Sequence, residues 1–364
     1  MKISEITSYL ESLAPLSSQE NYDNSGLITG SKKDELTNAL ISLDCTEAIV
    51  DEAIKRNCNL IISHHPIVFK GLKKFTGKNY VERVIIKAIQ NDIAIYACHT
   101  NLDNFQHGVN RKIGEMLGLK KMHILEPVKD KLIKVAVFVP VEHTEKVAES
   151  LFIAGAGQIG NYSDCAFRTE GTGSFKANES ANPFVGKQGE KHFEKENKLE
   201  MIFSSHKLND VMHALKSSHP YEEIAYDLIP LLNDNRFEGA GMVADLEEPL
   251  SEISMLEKIK TTFNTQVIRH TELLNKQVKR IAWCGGSGSF LLQKAKLAKA
   301  DIFITGDFKY HDFFDAENQI VIADIGHFES EQFTIELIKE LLQEKFPTFA
   351  PCLAETNTNP VKYY

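Results

Sequence analysis

The chain has 364 residues, 43% hydrophobic and 25% charged, the composition of an ordinary folded protein rather than a fibre or a disordered segment. Its formal net charge of −9 argues against a broad nucleic-acid-binding surface, and no apolar run approaches the roughly 18 residues of a membrane span. The length favours two domains over one. Near the N-terminus, Ile3, Ile6, Leu10 and Leu13 recur at helical spacing, and Lys2, Glu5 and Glu11 interrupt the segment in a way not expected of a signal peptide. A turn-rich stretch over 21–26 follows, where Asp23 and Asn24 are expected to shape the turn, with support of a metal ligand as the lesser alternative. A repeating beat then begins. Residues 39–43 read as a strand, Thr46 caps a helix to about Arg56, and 60–63 form a short buried strand. Residues 80–90 are a helix with Val81, Val84, Ile85 and Ala88 on one face, 93–98 a strand and 109–117 a helix. This alternation predicts an α/β sheet with helices on its faces. Lys70, Lys73, Lys74 and Lys78 read as a solvated loop.

The rhythm changes near Pro127. Strands are expected over 133–139, 199–204 and 224–228, with a weaker one near Phe167, and helices over 143–153 and 208–216. This order fits a small ferredoxin-like βαββαβ unit, with the polar stretch 171–197 as a long hairpin loop. After 236–241 the first beat returns. A helix over 256–263 precedes a strand over 280–284 that ends in Gly285-Gly286-Ser287-Gly288-Ser289, and a helix runs to Leu297. Strands over 302–305 and 320–323 precede a last long helix, 328–345, and the tail from Pro347 reads as irregular until Val361. The fold class is therefore α/β: a discontinuous two-half α/β domain, 1–126 and 237–364, with an inserted α+β domain over 127–236. Six cysteines without a C-x-x-C pair suit reduced thiols in a cytoplasm, and Cys98 and Cys284 read as core.

Ligands of open α/β sheets bind beyond the carboxyl ends of the strands. Three segments carry metal-competent side chains to such ends: Ser63-His64-His65-Pro66, Cys98-His99-Thr100-Asn101-Leu102-Asp103, and Gly326-His327-Phe328-Glu329-Ser330-Glu331. His327 and Glu331, four apart, share one helical face, whereas Glu329 points elsewhere. Three histidines, an aspartate and a glutamate suit two adjacent cations: a bridging carboxylate offsets their repulsion, and neutral imidazoles leave positions open for water. The donor set favours zinc, iron(II) or manganese over calcium or magnesium. His99 and His311 read either as proton carriers lining the pocket or as structural histidines. The glycine run is either a phosphate cradle or a close-packing turn.

Together these segments resemble the Nif-three-like dinuclear metal proteins, also called GTP cyclohydrolase I type 2 homologues. Glu20–Leu27, with Tyr22 where tryptophan is usual, and Thr305-Gly306-Asp307 with His311 add to the likeness, which covers about 1–125 and 237–364. The resemblance implies that His64, His65, Asp103, His327 and Glu331 bind two divalent ions with Glu331 as the bridge. It also implies a homohexameric ring with its sites facing an interior cavity, and a PII/CutA-like identity for 127–235, where His219-Pro220-Tyr221-Glu222 matches a segment of such units. The implied activity is metal-dependent hydrolysis, with water ionised at the metal as nucleophile and GTP or a related nucleotide or purine as substrate. A phosphoesterase is the rival enzyme reading. The non-enzymatic alternative is a metal-binding regulator or adaptor that uses the insert. Small molecules or nucleotides are the expected partners beyond the chain itself, with no membrane and no nucleic acid.

Overall fold

The computed structural model describes residues 1–364, and in it the short apolar runs become the central strands of two sheets. Leu60–Ser63, Ala94–Ala97 and Ala39–Ser42 are buried at every position, as parallel strands covered on both faces must be. They form a five-stranded sheet in the order Gly26–Thr29, Ala94–Ala97, Leu60–Ser63, Ala39–Ser42, Cys352–Leu353. Ser42, Ser63 and Ala97 lie in one register row, so these three strands end at the same level. Thr46 caps helix Glu47–Lys55 by accepting from Ile49 N, and Asn79 caps helix Tyr80–Gln90 through Glu82 N.

The second sheet has six strands, in the order Arg269–His270, Val321–Asp324, Ile302–Gly306, Gln277–Ser287, Asn235–Ser251, His123–Val128. Its centre is parallel, with Ile281 beside Ile302 and Ile302 beside Val321. Helix Val109–Met116 lies on Trp283, which is fully buried and donates through Nε1 to Asn110 O at 2.7 Å. A Cβ at Gly114 would stand 2.6 Å from the Trp283 ring, so only glycine allows this approach.

The chain divides into two compact units, Met1–Glu126 with Glu238–Tyr364, and Pro127–Phe237. The second has an antiparallel sheet in the order Phe167–Lys176, Lys191–Ser204, Leu132–Pro140, Tyr226–Leu231. Val135, Val137 and Val139 share one face of the sheet and join one core with Leu199, Met201 and Phe203 and with Val147, Leu151, Val211 and Leu215 from helices Thr144–Ile153 and Leu208–Ser218.

Several expectations need correction. About half of 171–197 is strand, a ribbon pairing Gly171 with Glu196 through Lys176 with Lys191, and the loop is the stretch 177–190 between them. Its residues read as loop because both faces are largely exposed, which removes the apolar alternation. The second unit ends at Phe237, within the expected 236–241, but that stretch is part of a 17-residue strand, Asn235–Ser251, that begins two residues before the boundary and continues past it. The last helix is two, His327–Glu331 and Thr334–Lys345. The tail is not irregular throughout, since Cys352 and Leu353 pair in parallel with Leu40 and Ile41. Cys98 and Cys284 are buried, as their apolar surroundings require. No helix is long and apolar enough to cross a membrane.

Candidate metal centre

The strand ends deliver the expected side chains to one place. His64 and His65 follow strand Leu60–Ser63, and their rings diverge at 49° with centroids 4.9 Å apart. Asp103 closes the single helical turn Thr100–Asp103 beyond the next strand. His327 and Glu331 lie on the short helix after Val321–Asp324, which starts at Gly326 with φ 94°, a conformation glycine adopts without strain. The donor atoms of the five expected residues fall into two triads that share Glu331, His64 with Asp103 and Glu331, and His65 with His327 and Glu331, and a third group joins His99 to His64 and His65. Glu331 Oε1 lies 3.6 Å from His64 Nε2, while Oε2 lies 3.0 Å from His65 Nε2 and 3.1 Å from His327 Nε2.

Each imidazole is held through its other nitrogen. His64 Nδ1 donates to Cys98 O at 2.7 Å, His65 Nδ1 to Asp44 Oδ1 at 2.8 Å, and His327 Nδ1 to Asp307 Oδ2 at 2.7 Å. A proton on Nδ1 leaves the Nε2 lone pair free, the tautomer a metal ligand needs. His64 shows the consequence. Its Nε2 is buried without a hydrogen-bond partner, as is Asp103 Oδ1, and the two face each other at 3.6 Å. A buried lone pair opposite two carboxylates repels them, and an orphaned buried polar group costs about 1–3 kcal/mol. A cation between them converts the repulsion into attraction, so these residues fit a metal ion.

Electrostatics point the same way. Burial opposes charge on His65 and His327, but Asp44 and Glu331 push the first up to about 9, and Glu331 and Asp307 push the second up to about 11. Burial also works against ionisation of Glu331, yet the His327 charge and hydrogen bond hold its carboxyl well below the ordinary range. Burial and the Glu331 charge raise Asp103. Without a metal, protons carry the positive charge that this carboxylate set requires.

His99 stands beside the cluster, with ring centroids 5.3 Å from His64 and 5.4 Å from His65. Its Nδ1 donates to Asp23 Oδ1 at 2.7 Å, and the other Asp23 oxygen accepts from Thr100 N at 3.0 Å, from the Thr100 hydroxyl, and from Ser25 Oγ at 2.9 Å. Burial opposes ionisation of Asp23, but the His99 and Thr100 bonds keep it strongly acidic. Asp23 therefore orients His99 as well as shaping its turn. His311 does not join the site: it is exposed on the helical turn Tyr310–Ala316, against Tyr310 and Phe314. It follows a strand end as His327 does, but its turn faces outward.

Three further residues support the site, and of these only Asp307 lies in a segment already singled out, Thr305-Gly306-Asp307. Asp44 lies just beyond strand Ala39–Ser42 and Asp307 just beyond Ile302–Gly306, so the strand-end rule that marks the histidines marks them too. Asn110 has no such signal. Its Nδ2 donates to Asp103 O at 3.1 Å and its Oδ1 accepts from Gly285 N at 3.0 Å, joining the Asp103 turn to the glycine run. That run is a close-packing turn and not a phosphate cradle. Gly286 N donates to Ser330 Oγ and Gly288 N to Thr305 Oγ1, and a Cβ on Gly286 would stand 2.3 Å from Glu331 Oε1. The cluster opens into a cleft of about 970 Å³ rimmed by the exposed rings of Tyr22, Phe69, Tyr80 and Phe290.

Fold and site together define an α/β protein with a histidine–carboxylate cluster able to hold a metal ion at its strand ends. The chain belongs to the Duf34/NIF3 (NGG1p interacting factor 3) family, whose model matches residues 1–360. It is 38% identical to the GTP cyclohydrolase 1 type 2 homolog of Halalkalibacterium halodurans over 97% of this chain and 96% of that protein. It is 37% identical to the protein of the same name from Bacillus subtilis, over 99% and 98%. Among solved structures, a Bacillus cereus protein related to NIF3 superposes with a TM-score of 0.88 at 35% identity, covering 100% of this chain and 99% of that one.

Proposed function

We propose that the cluster holds two divalent metal ions, one on His64, Asp103 and Glu331, the other on His65, His327 and Glu331, and that the protein is a metal-dependent hydrolase. The observation that carries this reading is the buried, unpartnered Nε2 of His64 facing Asp103 and Glu331 at 3.6 Å each. The thiolate-free donor set suits zinc, iron(II) or manganese. Divalent ions in such a site supply Lewis acidity, polarising a substrate oxygen and acidifying water. The remaining work falls to the chain. Glu331, carboxylate at neutral pH, supplies charge to both triads. His99, held by Asp23, presents its free nitrogen toward His64 and His65 and is the group that takes up and returns a proton. Tyr22, Phe69, Tyr80 and Phe290 offer ring faces at the cleft mouth, which suit a nucleotide or purine substrate. The relatives named GTP cyclohydrolase 1 type 2 homolog favour GTP or a related compound.

In this reading 127–236 is an inserted ferredoxin-like domain of the PII/CutA type, and the whole assembles as a homohexameric ring in the cytoplasm. The second reading, a metal-binding regulator or adaptor, draws support from the separate core of Pro127–Phe237. The two are told apart by measuring metal content in protein purified without added metal, then turnover of GTP and of a generic phosphodiester. The hydrolase reading expects two ions per chain and a loss of at least ~100-fold in turnover in Glu331→Gln, in line with removal of a charge that stabilises a transition state. Turnover unchanged in that variant removes the mechanism, and two ions with no turnover on any substrate class leave the regulator.

A further inference from the structure

We propose that the C-terminal segment is a working part of this metal centre, with Thr358 as the positioning residue that holds His65 for its ion by way of Asp44. The inference rests on the metal reading above. The segment is anchored on both sides of Thr358. Upstream, the Arg56 guanidinium donates to Leu353 O at 2.8 Å, and the Glu52 carboxylate accepts from Glu355 N at 2.9 Å and Thr356 N at 3.0 Å. Downstream, Asn359 Nδ2 donates to Glu329 Oε1 at 3.1 Å, on the same short helix as His327 and Glu331. Between these anchors Thr358 Oγ1 donates to Asp44 Oδ2 at 2.6 Å, and Asp44 Oδ1 accepts from His65 Nδ1 at 2.8 Å.

The hydroxyl matters because of what Asp44 is. Its side chain is 31% exposed, and a carboxylate held by one hydrogen bond can turn about its own axis and exchange that bond for water. A second bond, to the other oxygen, fixes its plane and with it the direction of the His65 ring. A ligand whose supporting carboxylate is fixed is both oriented and a stronger donor. The other triad is built differently. His64 Nδ1 is held by the backbone carbonyl of Cys98 inside the core and needs no outside partner. Loss of Thr358 is therefore felt by the ion on His65 and His327, and not by the ion on His64 and Asp103. The resulting division of labour is a rigid metal position built into the sheet and an adjustable one gripped by the tail.

The test is titration of cobalt(II) into metal-free full-length protein, followed by its d–d absorption, for wild type, Thr358→Val, Thr358→Ser and Glu355→Ala. The last variant alters the tail at a side chain 88% exposed and leaves the Thr358 hydroxyl in place. In Thr358→Val one of the two cobalt ions is expected to bind about 10- to 100-fold more weakly with an altered spectrum, the range typical when a ligand's supporting partner is lost. The second ion should be unchanged, Thr358→Ser should bind like wild type, and Glu355→Ala should have no effect. If Thr358→Val does not fold, Asp44→Ala should show the same loss confined to one ion. Two ions bound by Thr358→Val as in wild type, equal weakening of both ions, or the same loss in Glu355→Ala overturns the proposal and leaves the metal reading standing. Wild-type protein that binds no cobalt removes the metal reading and this proposal with it.

Discussion

The two compact units treat buried polar groups in opposite ways. In Pro127–Phe237 they are satisfied from within: the buried Glu196 accepts from the Tyr221 hydroxyl at 2.9 Å, and His219 uses both ring nitrogens, one on Phe138 O and one on Tyr221 N. The buried side-chain polar atoms that lack a partner, His64 Nε2 and Asp103 Oδ1 among them, all belong to the other unit. A closed hydrogen-bond network rigidifies a core, whereas an open one marks a position kept for something else. The antiparallel unit therefore reads as finished by its own side chains, whereas the α/β unit keeps two unpartnered atoms, His64 Nε2 and Asp103 Oδ1, in a cluster able to hold a cation.

The comparison can be broken most sharply with pH. In the metal-free chain His65 sits at about 9 and His327 at about 11, both raised above the ordinary histidine value, so both are protonated between pH 7 and 8. An ion bound to both rings must displace both protons, and its affinity should fall about 100-fold as pH drops by one unit in this range. Zinc titrations at pH 8 and pH 7 measure this, and a flat response means that the ion does not use this pair. The sign is opposite for His219, which burial lowers, so it stays neutral over the same interval and the stability of its unit should not change.

A smaller effect is expected from Gly286→Ala. The new Cβ meets Glu331 Oε1 at 2.3 Å on a backbone at φ 61°, which together should cost roughly 1–3 kcal/mol and lower metal content. Thermal melting and elemental analysis read the two consequences. Stability lost with full metal retention would show that Glu331 moves without penalty. The smallest expected effect on the metal centre is that of Tyr221→Phe. It should destabilise Pro127–Phe237 by about 1–3 kcal/mol by leaving the buried Glu196 without its donor, while metal content stays as in wild type. Hydrogen exchange of helix Thr144–Ile153 reports the first result and elemental analysis the second.

The sequence by itself determined the alternation of strand and helix, the core strands and five metal-competent side chains at strand ends, because each is a local property. An apolar run of three residues followed by Ser-His-His-Pro is a buried strand end, and His327 and Glu331 share a helical face by spacing alone. It read as loop the paired segments 171–176 and 191–197, because strands exposed on both faces carry no period. Tertiary structure alone decided which strand end faces which. That is why His311, placed after a strand like His327, points to solvent. It is also why Asp23, Asp44, Asp307, Asn110 and Thr358 become the supports of the site. Their hydrogen bonds span 76, 21, 20, 175 and 314 residues, and no local pattern records a partner that distant. A side chain's identity says what it can bind, but only the packing of the sheets brings three imidazoles and two carboxylates together, where their mutual repulsion calls for a positive charge.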